Sequence, residues 1–417
     1  MRGQDLILND IGMRILYFHQ HFSTRKGAGG TRSYEFAQRL IRRGHEVTMV
    51  CGTNLRAMKT NEHARTGEVR ETLVDGIRVI EIVLPYSNYD GLWKRTLIFL
   101  RYAFAGIRLA LRRDYDLLFA TSTPLTAGIP GIAAKLLRRK SFVFEVRDLW
   151  PELPEAMGVI KNPVVLAMMS FLEWSSYRAS DGCVALAPGI ADGIRRKSRP
   201  NHPICVVPNA CDIDLFGAQV ARQDVWPTLS EDDLVCIFTG AHGQANGLDA
   251  ALDAAAELIR RKETGIYLVF IGDGREKPRL MRRAKEEGLA NCLFHDLVPK
   301  ERLAGFLGAA DVGMQLLANV PAFYYGTSPN KFFDYIASGL PVLNNYPGWL
   351  ADLIKKHECG AAIPPDDPAA FADALVSFRD QPSRRREMGL NSRKLAEDSF
   401  SRDALGTRFC EFLEQQV

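Results

Sequence analysis

A short polar loop near the carboxyl end of the chain carries residues suited to binding a phosphate and a ribose. Ser328-Pro329-Asn330-Lys331 leads into a predicted helix, with Ser328 as the N-cap and Pro329 in the first helical position. The N-terminus of this helix offers free N–H groups and the positive end of a dipole, and Lys331 adds a full charge. Asp334, one turn further along, can accept hydrogen bonds from ribose hydroxyls. Phosphate and ribose sites this close together predict a nucleotide-sugar pocket.

The same segment resembles the donor-site signature of the retaining glycosyltransferases of family four, which have the GT-B fold. In that family a Glu, seven residues and a second Glu precede a Gly-x-Pro-Val turn. Asp334 stands at the second Glu, five residues before Gly339, whereas the first Glu would fall at Gly326 and is absent. Ser-Pro-Asn-Lys in its place resembles the WbuB-like branch, which builds the repeat units of O-antigen, capsule and exopolysaccharide.

Length and composition narrow the class of protein. The chain has 417 residues, 47% of them hydrophobic and 24% charged, so two or three globular domains are expected. Its net charge of +4 is too small to imply a nucleic-acid partner. Eight scattered cysteines are typical of reduced core residues in a cytosolic protein, and no apolar run is long enough to span a bilayer.

Strand-like runs alternate with helical periods twice along the chain, which predicts two parallel, doubly wound sheets. The resemblance implies the same α/β architecture, with two Rossmann-like domains facing each other across a cleft. Its interdomain Pro-Asn-Gly-Val-Asp motif is similar to Pro208-Asn-Ala-Cys-Asp212. The predicted units are an N-terminal extension, an acceptor-side domain, a nucleotide-sugar-binding domain and a last helix that crosses back to the first domain, at residues 1–12, 13–211, 212–398 and 399–417.

Glycine-rich loops follow the first strand of each predicted domain. Gly29 and Gly30 let the backbone approach a ligand, and the helix that follows presents its N–H groups to an anion. The third glycine of a dehydrogenase fingerprint is missing there, so we interpret the pair as one side of a pyrophosphate clamp. In the second domain, Gly240 and His242 lie in the corresponding turn. The family commonly has a basic residue where Ala245 stands, and Lys277 together with Lys331 is predicted to replace that charge.

A polar cluster is predicted at the acceptor side of the cleft. Arg147 and Asp148 follow a strand that carries Glu145, and His19 begins the loop after the first strand. The segment resembles the Arg-Asp-Leu-Trp-Pro motif of the branch. Asp148 either binds the acceptor or the reacting sugar, or it only caps the next segment. The predicted acceptor-binding residues are His19, Arg147 and Asp148, and the predicted catalytic residues are Asp148, Asn330 and Lys331.

Neither a metal nor a cofactor is predicted beyond the donor substrate itself. Asp114-Tyr-Asp116 and Asp212-Ile-Asp214 match the Asp-x-Asp metal signature of another glycosyltransferase fold, but both are interpreted as turn and capping residues. No carboxylate pair suited to a glycosidase is present. In the resembled family, retention is explained by attack on the front face of the sugar, which needs no enzymatic nucleophile.

A helix predicted at residues 92–113 has an apolar stripe and no acidic residue. The stripe is expected either to pack on the sheet alone or to do so while the basic side meets anionic lipid. Its apolar residues are Trp93, Leu97, Leu100, Phe104, Ile107 and Leu111, and its basic residues are Lys94, Arg95, Arg101, Arg108, Arg112 and Arg113.

Together, the motifs and the resemblance predict a bacterial retaining glycosyltransferase in the cytoplasm, held at the inner face of the cell membrane. It would move a sugar, an N-acetylhexosamine or its deoxy derivative, from a UDP-sugar to a polyprenyl-diphosphate-linked saccharide. Two alternatives stay open at this point. One is a UDP-sugar epimerase with the same fold, and the other is a catalytically silent subunit that binds a partner transferase.

Overall fold

The computed structural model describes residues 12–24, 30–54, 66–86 and 90–417. The predicted N-terminal extension lies outside these residues except for Gly12, and Gly29 of the predicted phosphate clamp lies outside them as well.

The first domain is built on an eight-stranded sheet in the order β3-β4-β2-β1-β5-β6-β7-β8, parallel except for the β3–β4 pair. Helices cover both faces of the sheet, so β1 is buried on both sides. This burial explains why its sequence is continuously apolar. The strands are β1 Arg14–Phe18, β2 Glu46–Asn54, β3 Val69–Val74, β4 Ile77–Tyr86, β5 Leu117–Thr121, β6 Ser141–Val146, β7 Gly182–Ala185 and β8 Ile204–Val206.

Helices of the first domain follow its parallel strands. They are α1 Arg32–Arg42, α2 Leu92–Arg112, α3 Gly128–Arg138, α4 Glu152–Ala156, α5 Pro163–Ala179 and α6 Pro188–Lys197. Ile15 and Tyr17 of β1 point into the cluster that contains Phe36 of α1. Leu16 and Phe18 point the other way, into the cluster formed with α2, α3 and α5. Successive side chains of β1 point to opposite faces of the sheet. Helix α1 therefore covers one face, and α2, α3 and α5 cover the other.

The second domain has a six-stranded, all-parallel sheet in the order β11-β10-β9-β12-β13-β14. Its strands are β9 Leu234–Thr239, β10 Ile266–Ile271, β11 Cys292–His295, β12 Val312–Gln315, β13 Val342–Asn344 and β14 Gly360–Ala362. Its helices are α7 Arg222–Val225, α8 Asp249–Arg260, α9 Lys277–Glu286, α10 Lys300–Gly308, α11 Pro321–Gly326, α12 Asn330–Ala337, α13 Trp349–Lys356, α14 Pro368–Asp380 and α15 Pro382–Phe400. The two sheets confirm the predicted α/β class with two Rossmann-like domains.

The last helix, α16 Arg402–Glu414, packs on α1 of the first domain. The rings of Phe36 and Phe409 stack with their centroids 4.2 Å apart. Arg43 forms an ion pair of 2.7 Å with Glu414. The chain therefore connects the domains at two places, the segment after β8 and the segment before α16.

Two strands were not predicted. Strand β3 has the sequence Val-Arg-Glu-Thr-Leu-Val and lies at an exposed sheet edge, so it lacks the apolar character of the buried strands. Strand β14 has only the three residues Gly-Ala-Ala. Both are edge strands, which bury little and therefore leave a weak sequence pattern.

The predicted apolar stripe of α2 does not pack on the sheet. Tyr102 and Ala110 are buried instead, and the Tyr102 hydroxyl donates to the carbonyl of Val50 at 2.7 Å. A Cβ built on Gly106 would lie 2.7 Å from Cγ of Pro130 in α3, so the side of α2 with small residues makes the close contact. Most of the stripe consequently faces outward, with Trp93 87% and Phe104 68% exposed and with Leu97 and Leu100 also exposed.

None of the helices in the parts of the chain that the structure describes is long and apolar enough to cross a bilayer.

Candidate functional site

A cavity of about 840 Å³ lies between the two domains, at the carboxyl ends of their parallel strands. Open α/β sheets bind ligands at this edge. The cavity is bordered by the start of α1, the segment after β8, the loop after β9 and the starts of α10 and α12. Of the residues predicted to bind the donor, it is lined by Gly30, Gly240, Pro329, Asn330, Lys331 and Asp334.

Of the charged residues predicted to be catalytic, only Lys331 lines the cavity in the part of the chain that the structure describes. Its Nζ donates to Oδ1 of Asn246 at 2.6 Å and lies 4.6 Å from the centre of the Phe238 ring. Neither neighbour carries a negative charge. Burial without a nearby carboxylate lowers the pKa of Lys331 to about 7. The ammonium of Lys331 therefore has no counter-charge in the site.

Gly30 and Gly240 lie close to the start of α12 and belong to opposite domains. A Cβ on Gly30 would lie 3.6 Å from Nδ2 of Asn330, which shows that the start of α1 faces the start of α12 across the cleft. Gly240 has a φ of +129°, and a Cβ there would lie 3.4 Å from Cε of Lys331. A side chain at position 240 would be strained by this φ and would contact the lysine.

Asp334 belongs to a network of charges that the sequence did not reveal. Nζ of Lys300 lies 3.2 Å from Oδ1 of Asp334 and also forms an ion pair with Asp212. Arg402, at the start of α16, forms a second ion pair with Asp212. Burial raises the pKa of Asp334, and the Lys300 ammonium opposes that rise. The network links the predicted ribose site to both connections between the domains.

Helix α12 starts one residue later than predicted. Pro329 is its N-cap residue, with φ −73° and ψ 126°, and Asn330 is its first residue. Ser328 does not cap the helix, because its Oγ accepts a hydrogen bond of 3.0 Å from the backbone N–H of Asn209. Nδ2 of Asn209 donates to the carbonyl of Ser328 at 2.5 Å. Ser328 therefore joins the donor loop to the interdomain segment and does not line the cavity.

Two further residues predicted to bind the donor do not line the cavity. The ammonium of Lys277 is occupied by the carbonyls of Gly272 and His295, at 3.0 and 2.9 Å, and by Asp296 at 2.7 Å. The fully buried His242 contacts aromatic rings, and burial lowers the pKa of its imidazole to about 4. Both side chains are held by contacts within the second domain and do not face the cavity.

The predicted acceptor residues lie at the ends of β1 and β6, away from the lining of the cavity. His19 is buried, and burial together with Arg147 keeps its pKa well below the ordinary value. Burial raises the pKa of Asp148, whereas the charge of Arg147 lowers it. Glu145, expected at the cleft edge, is fully buried beneath them and accepts from Arg32 at 2.9 Å.

A cationic and aromatic cluster near these residues was not predicted as a unit. The His21 ring lies 4.8 Å from Tyr86, and the Arg95 guanidinium lies 5.7 Å from Tyr86. Burial, reinforced by Arg147 and Arg95, lowers the pKa of His21 to about 4. Nε of Arg95 is buried with no hydrogen-bond partner in the described structure. Such a cluster is suited to binding an anion beside an apolar group.

Arg32 ties the first domain to the interdomain segment. In addition to Glu145, its guanidinium donates to the carbonyls of Val207 and Pro208, both at 2.6 Å. The position of Arg32 after the glycine loop gave no signal for this role, because its partners are more than a hundred residues away.

The two Asp-x-Asp segments hold cations of the protein itself. Arg14 forms ion pairs with both Asp114 and Asp116, and its backbone N–H donates to Asp116 at 2.8 Å. Asp212 is occupied by Lys300 and Arg402, as described above.

Comparison with known proteins gives two family matches in the same order as the two domains. Residues 27–210 match the model described as "Glycosyl transferase 4-like domain", and residues 233–380 match "Glycosyl transferases group 1". The D-inositol 3-phosphate glycosyltransferase of Corynebacterium urealyticum is 28% identical over 412 residues, covering 90% of this chain and 89% of the relative. The enzyme of that name from Xylanimonas cellulosilytica is 27% identical, covering 88% and 87%.

Solved structures show the same fold at low sequence identity. Sucrose-phosphate synthase from Thermosynechococcus elongatus superposes with a TM-score of 0.76 at 18% identity, covering 97% of this chain and 98% of that one. HepE of Anabaena, solved in complex with UDP-glucose, gives 0.69 at 14%, covering 97% and 100%. WaaG, a glycosyltransferase involved in lipopolysaccharide biosynthesis, gives 0.69 at 14%, covering 96% and 99%.

Proposed function

We propose a donor and an acceptor for this chain, which is a glycosyltransferase of the GT-B type. The donor is a UDP-sugar, with an N-acetylhexosamine or its deoxy derivative as the sugar. The acceptor is a hydroxyl of a polyprenyl-diphosphate-linked saccharide, and the product serves the synthesis of bacterial surface polysaccharide. Transfer retains the configuration of the sugar and needs no metal ion. The resemblance of the Ser-Pro-Asn-Lys segment to the WbuB-like branch supports the sugar class and the pathway class.

The observation that carries the donor is the arrangement at the start of α12. Lys331 and Asp334 lie one helical turn apart and line one cavity, and Gly30 faces them from the other domain. A diphosphate at the helix start would provide the anion that Lys331 lacks, while Asp334 accepts from the ribose hydroxyls. HepE of Anabaena, with the same fold, was solved with UDP and with UDP-glucose.

The chemistry follows from the same charges. When UDP leaves the sugar, negative charge grows on its β-phosphate. Donors already in place there, Nζ of Lys331 and the free N–H groups of α12, stabilise that charge and lower the barrier by roughly 3–4 kcal/mol per well-placed donor. Asn330, at the first position of the helix, contributes one of these N–H groups. Asp148 is proposed to hold the acceptor or the reacting sugar.

The acceptor assignment rests on the first domain. The guanidinium groups of Arg95 and Arg147 lie near the neutral imidazole of His21, at the ends of β1 and β6, where a lipid diphosphate would find cationic partners. Helix α2 continues from this cluster with an exposed apolar side, beginning at Trp93. We propose that the enzyme works at the inner face of the cell membrane, where the lipid of the acceptor resides.

A second acceptor is favoured by the relatives. Those covering most of the chain are named for transfer to D-inositol 3-phosphate. That acceptor is anionic and water-soluble, so the same cationic groups would suit it. It has no apolar part that could contact the exposed apolar side of α2.

Incubation with a panel of UDP-sugars and each acceptor in turn tests the proposal, with mass spectrometry of the acceptor as readout. We expect the polyprenyl-linked saccharide to gain the mass of one N-acetylhexosamine. A gain on inositol 3-phosphate alone would contradict the acceptor assignment. Conversion of the UDP-sugar without any acceptor would indicate an epimerase. No reaction with either acceptor, together with UDP binding, would indicate a silent subunit.

A further inference from the structure

Large apolar side chains are exposed mainly on three neighbouring helices of the first domain. Of the twenty such side chains in the described residues, eleven lie on α2, α3 and α5, which cannot be an even scatter over the surface. We call this surface the three-helix face. Its exposed apolar residues are Trp93, Leu97, Leu100, Phe104, Leu136, Leu137, Val164, Val165, Met168, Phe171 and Trp174.

The three helices pack side by side, with α3 in the middle. Small residues make both contacts. A Cβ on Gly106 of α2 would lie 2.7 Å from Pro130 of α3, and a Cβ on Gly128, the first residue of α3, would lie 2.6 Å from Ser176 of α5. Because the small residues form the packed sides, the large residues of α2 and α5 are left on the outside. The side chain of Phe171, for example, is 67% exposed.

The charge on the three-helix face has one sign. Helices α2 and α3 contain no acidic residue, and the single acidic residue of α5, Glu173, is fully buried and pairs with Lys197 at 2.5 Å. The guanidinium of Arg178 lies 5.4 Å from the ring of Trp174. Exposed arginines that form no ion pair in the described structure are Arg101, Arg108 and Arg112 on α2, Arg139 at the end of α3 and Arg178 on α5.

We infer that the three-helix face docks on an anionic lipid bilayer, with the apolar side chains of α2 and α5 entering the headgroup region. Exposed aromatic and aliphatic residues on helices that also carry exposed arginines fit that partner, because burial of apolar area and attraction to anionic lipid then add. A second copy of this chain fits less well. A symmetric contact would bring arginines against arginines without a carboxylate between them.

Docking in this way would orient the cleft. A helix that follows a parallel strand begins at the carboxyl edge of the sheet, so Trp93 at the start of α2 lies on the cleft side of the face. Val164, at the start of α5, follows the end of β6 in the same sense. The bilayer would therefore contact the domain beside the cluster of His21 and Arg95. This step rests on the proposed lipid-linked acceptor, whereas docking itself does not.

Vesicle sedimentation of the full chain tests the inference. The probe is phosphatidylcholine vesicles with and without phosphatidylglycerol. The variant Met168→Gln/Phe171→Ser/Trp174→Ser removes the apolar side of α5 and changes no charge. The matched control, Leu73→Ser/Leu390→Ser, removes exposed apolar side chains from β3 and α15, outside the face. Thermal unfolding and UDP binding of each variant check that the fold and the donor site are intact.

We expect wild type and the control to sediment with the anionic vesicles, and the α5 variant to bind at least about tenfold more weakly. Wild type that ignores anionic vesicles at low salt would overturn the inference, and so would an α5 variant that binds as well as wild type. A wild-type dimer in analytical ultracentrifugation that the α5 variant converts to a monomer would assign the face to self-association instead.

The docking inference and the proposed acceptor can be refuted independently of each other. Vesicle binding without transfer to a polyprenyl-linked acceptor would leave the docking face standing and refute the acceptor. Transfer to that acceptor without vesicle binding would refute the docking face and leave the proposed donor and acceptor standing.

Discussion

At the scale of single residues, the site is organised around one ammonium without a counter-charge. Lys331 contacts an amide oxygen and an aromatic ring, and its pKa is lowered to about 7 because its burial is not balanced by a carboxylate. The carboxylate nearest along α12, Asp334, is already engaged with Lys300. The unoccupied charge is therefore available to a substrate anion.

Donor binding should take up a proton above neutral pH. In the free enzyme Lys331 loses its proton as the pH rises through about 7, and a bound diphosphate would raise its pKa and recharge it. UDP affinity is then highest near or below pH 7 and falls as the pH rises further. Calorimetry at pH 8.5, in buffers of different ionisation enthalpy, measures the uptake. Wild type should take up a proton and Lys331→Ala should not; equal uptake by both would assign the proton elsewhere.

Asp334 should matter through its oxygens more than through its charge. We expect Asp334→Ala to weaken UDP binding by roughly 1–3 kcal/mol, the usual cost of losing hydrogen bonds to a charged group. Asp334→Asn keeps one acceptor oxygen and should lose less. Titration calorimetry at fixed pH measures both variants. Unchanged affinity in Asp334→Ala would remove the ribose from this position.

The donor segment could be predicted from the sequence because its residues are close together in the chain. Lys331 and Asp334 share one turn of a helix, so spacing alone places them together. Lys300 escaped notice because only the fold brings it to Asp334, across more than thirty residues of chain. The sequence could not show the partners of Lys277, because the carbonyls of Gly272 and His295 and the carboxylate of Asp296 reach its ammonium only in the folded chain.

At the scale of elements, helix α2 shows how an amphipathic pattern can mislead. The large apolar residues repeat with helical spacing, which favours burial. Gly106 and its small neighbours pack on α3 instead, because close approach of two helices needs small side chains. The period of the pattern was predicted correctly, and the face that is buried was not.

Charge reversal on α2 should weaken attraction to anionic lipid. We expect Arg101→Glu/Arg108→Glu/Arg112→Glu to lose binding to vesicles that contain phosphatidylglycerol, since each cation near the surface contributes about 1 kcal/mol. The wild-type binding should also weaken with salt, because the Debye length is about 8 Å at physiological ionic strength. Sedimentation over a salt series measures both effects, with UDP binding as the control. A triple variant that still sediments would assign these arginines to solvent.

At the scale of the whole molecule, the cleft depends on two connections between domains. Arg32 fixes the segment after β8 to the first domain, and Asn209 fixes it to the donor loop through Ser328. Asp212 joins the same segment to α10 and α16 through Lys300 and Arg402. The two sheets were predictable from the alternation of strands and helices, and the cleft from the family resemblance. The cross-links were not predictable, because their partners are distant in sequence.

Turnover should survive a chelator. Asp116 and Asp212, one from each Asp-x-Asp segment, form ion pairs within the protein. Asp116 pairs with Arg14, and Asp212 pairs with Lys300 and Arg402. We therefore expect the same rate of sugar transfer with and without EDTA. Loss of activity in EDTA that Mg²⁺ or Mn²⁺ restores would contradict the metal-independent mechanism.

We propose that sugar transfer occurs at the start of α12, and the turnover of Lys331→Ala is the sharpest test of this site. The measurement is kcat for transfer from the UDP-sugar to the polyprenyl-linked acceptor, alongside the thermal unfolding midpoint. Lys285→Ala, at an exposed lysine of the same domain outside the cavity lining, is the matched control. We predict that kcat of Lys331→Ala falls by about a hundredfold or more, while its unfolding midpoint and the control stay near wild type. Near-normal turnover in Lys331→Ala would contradict the account.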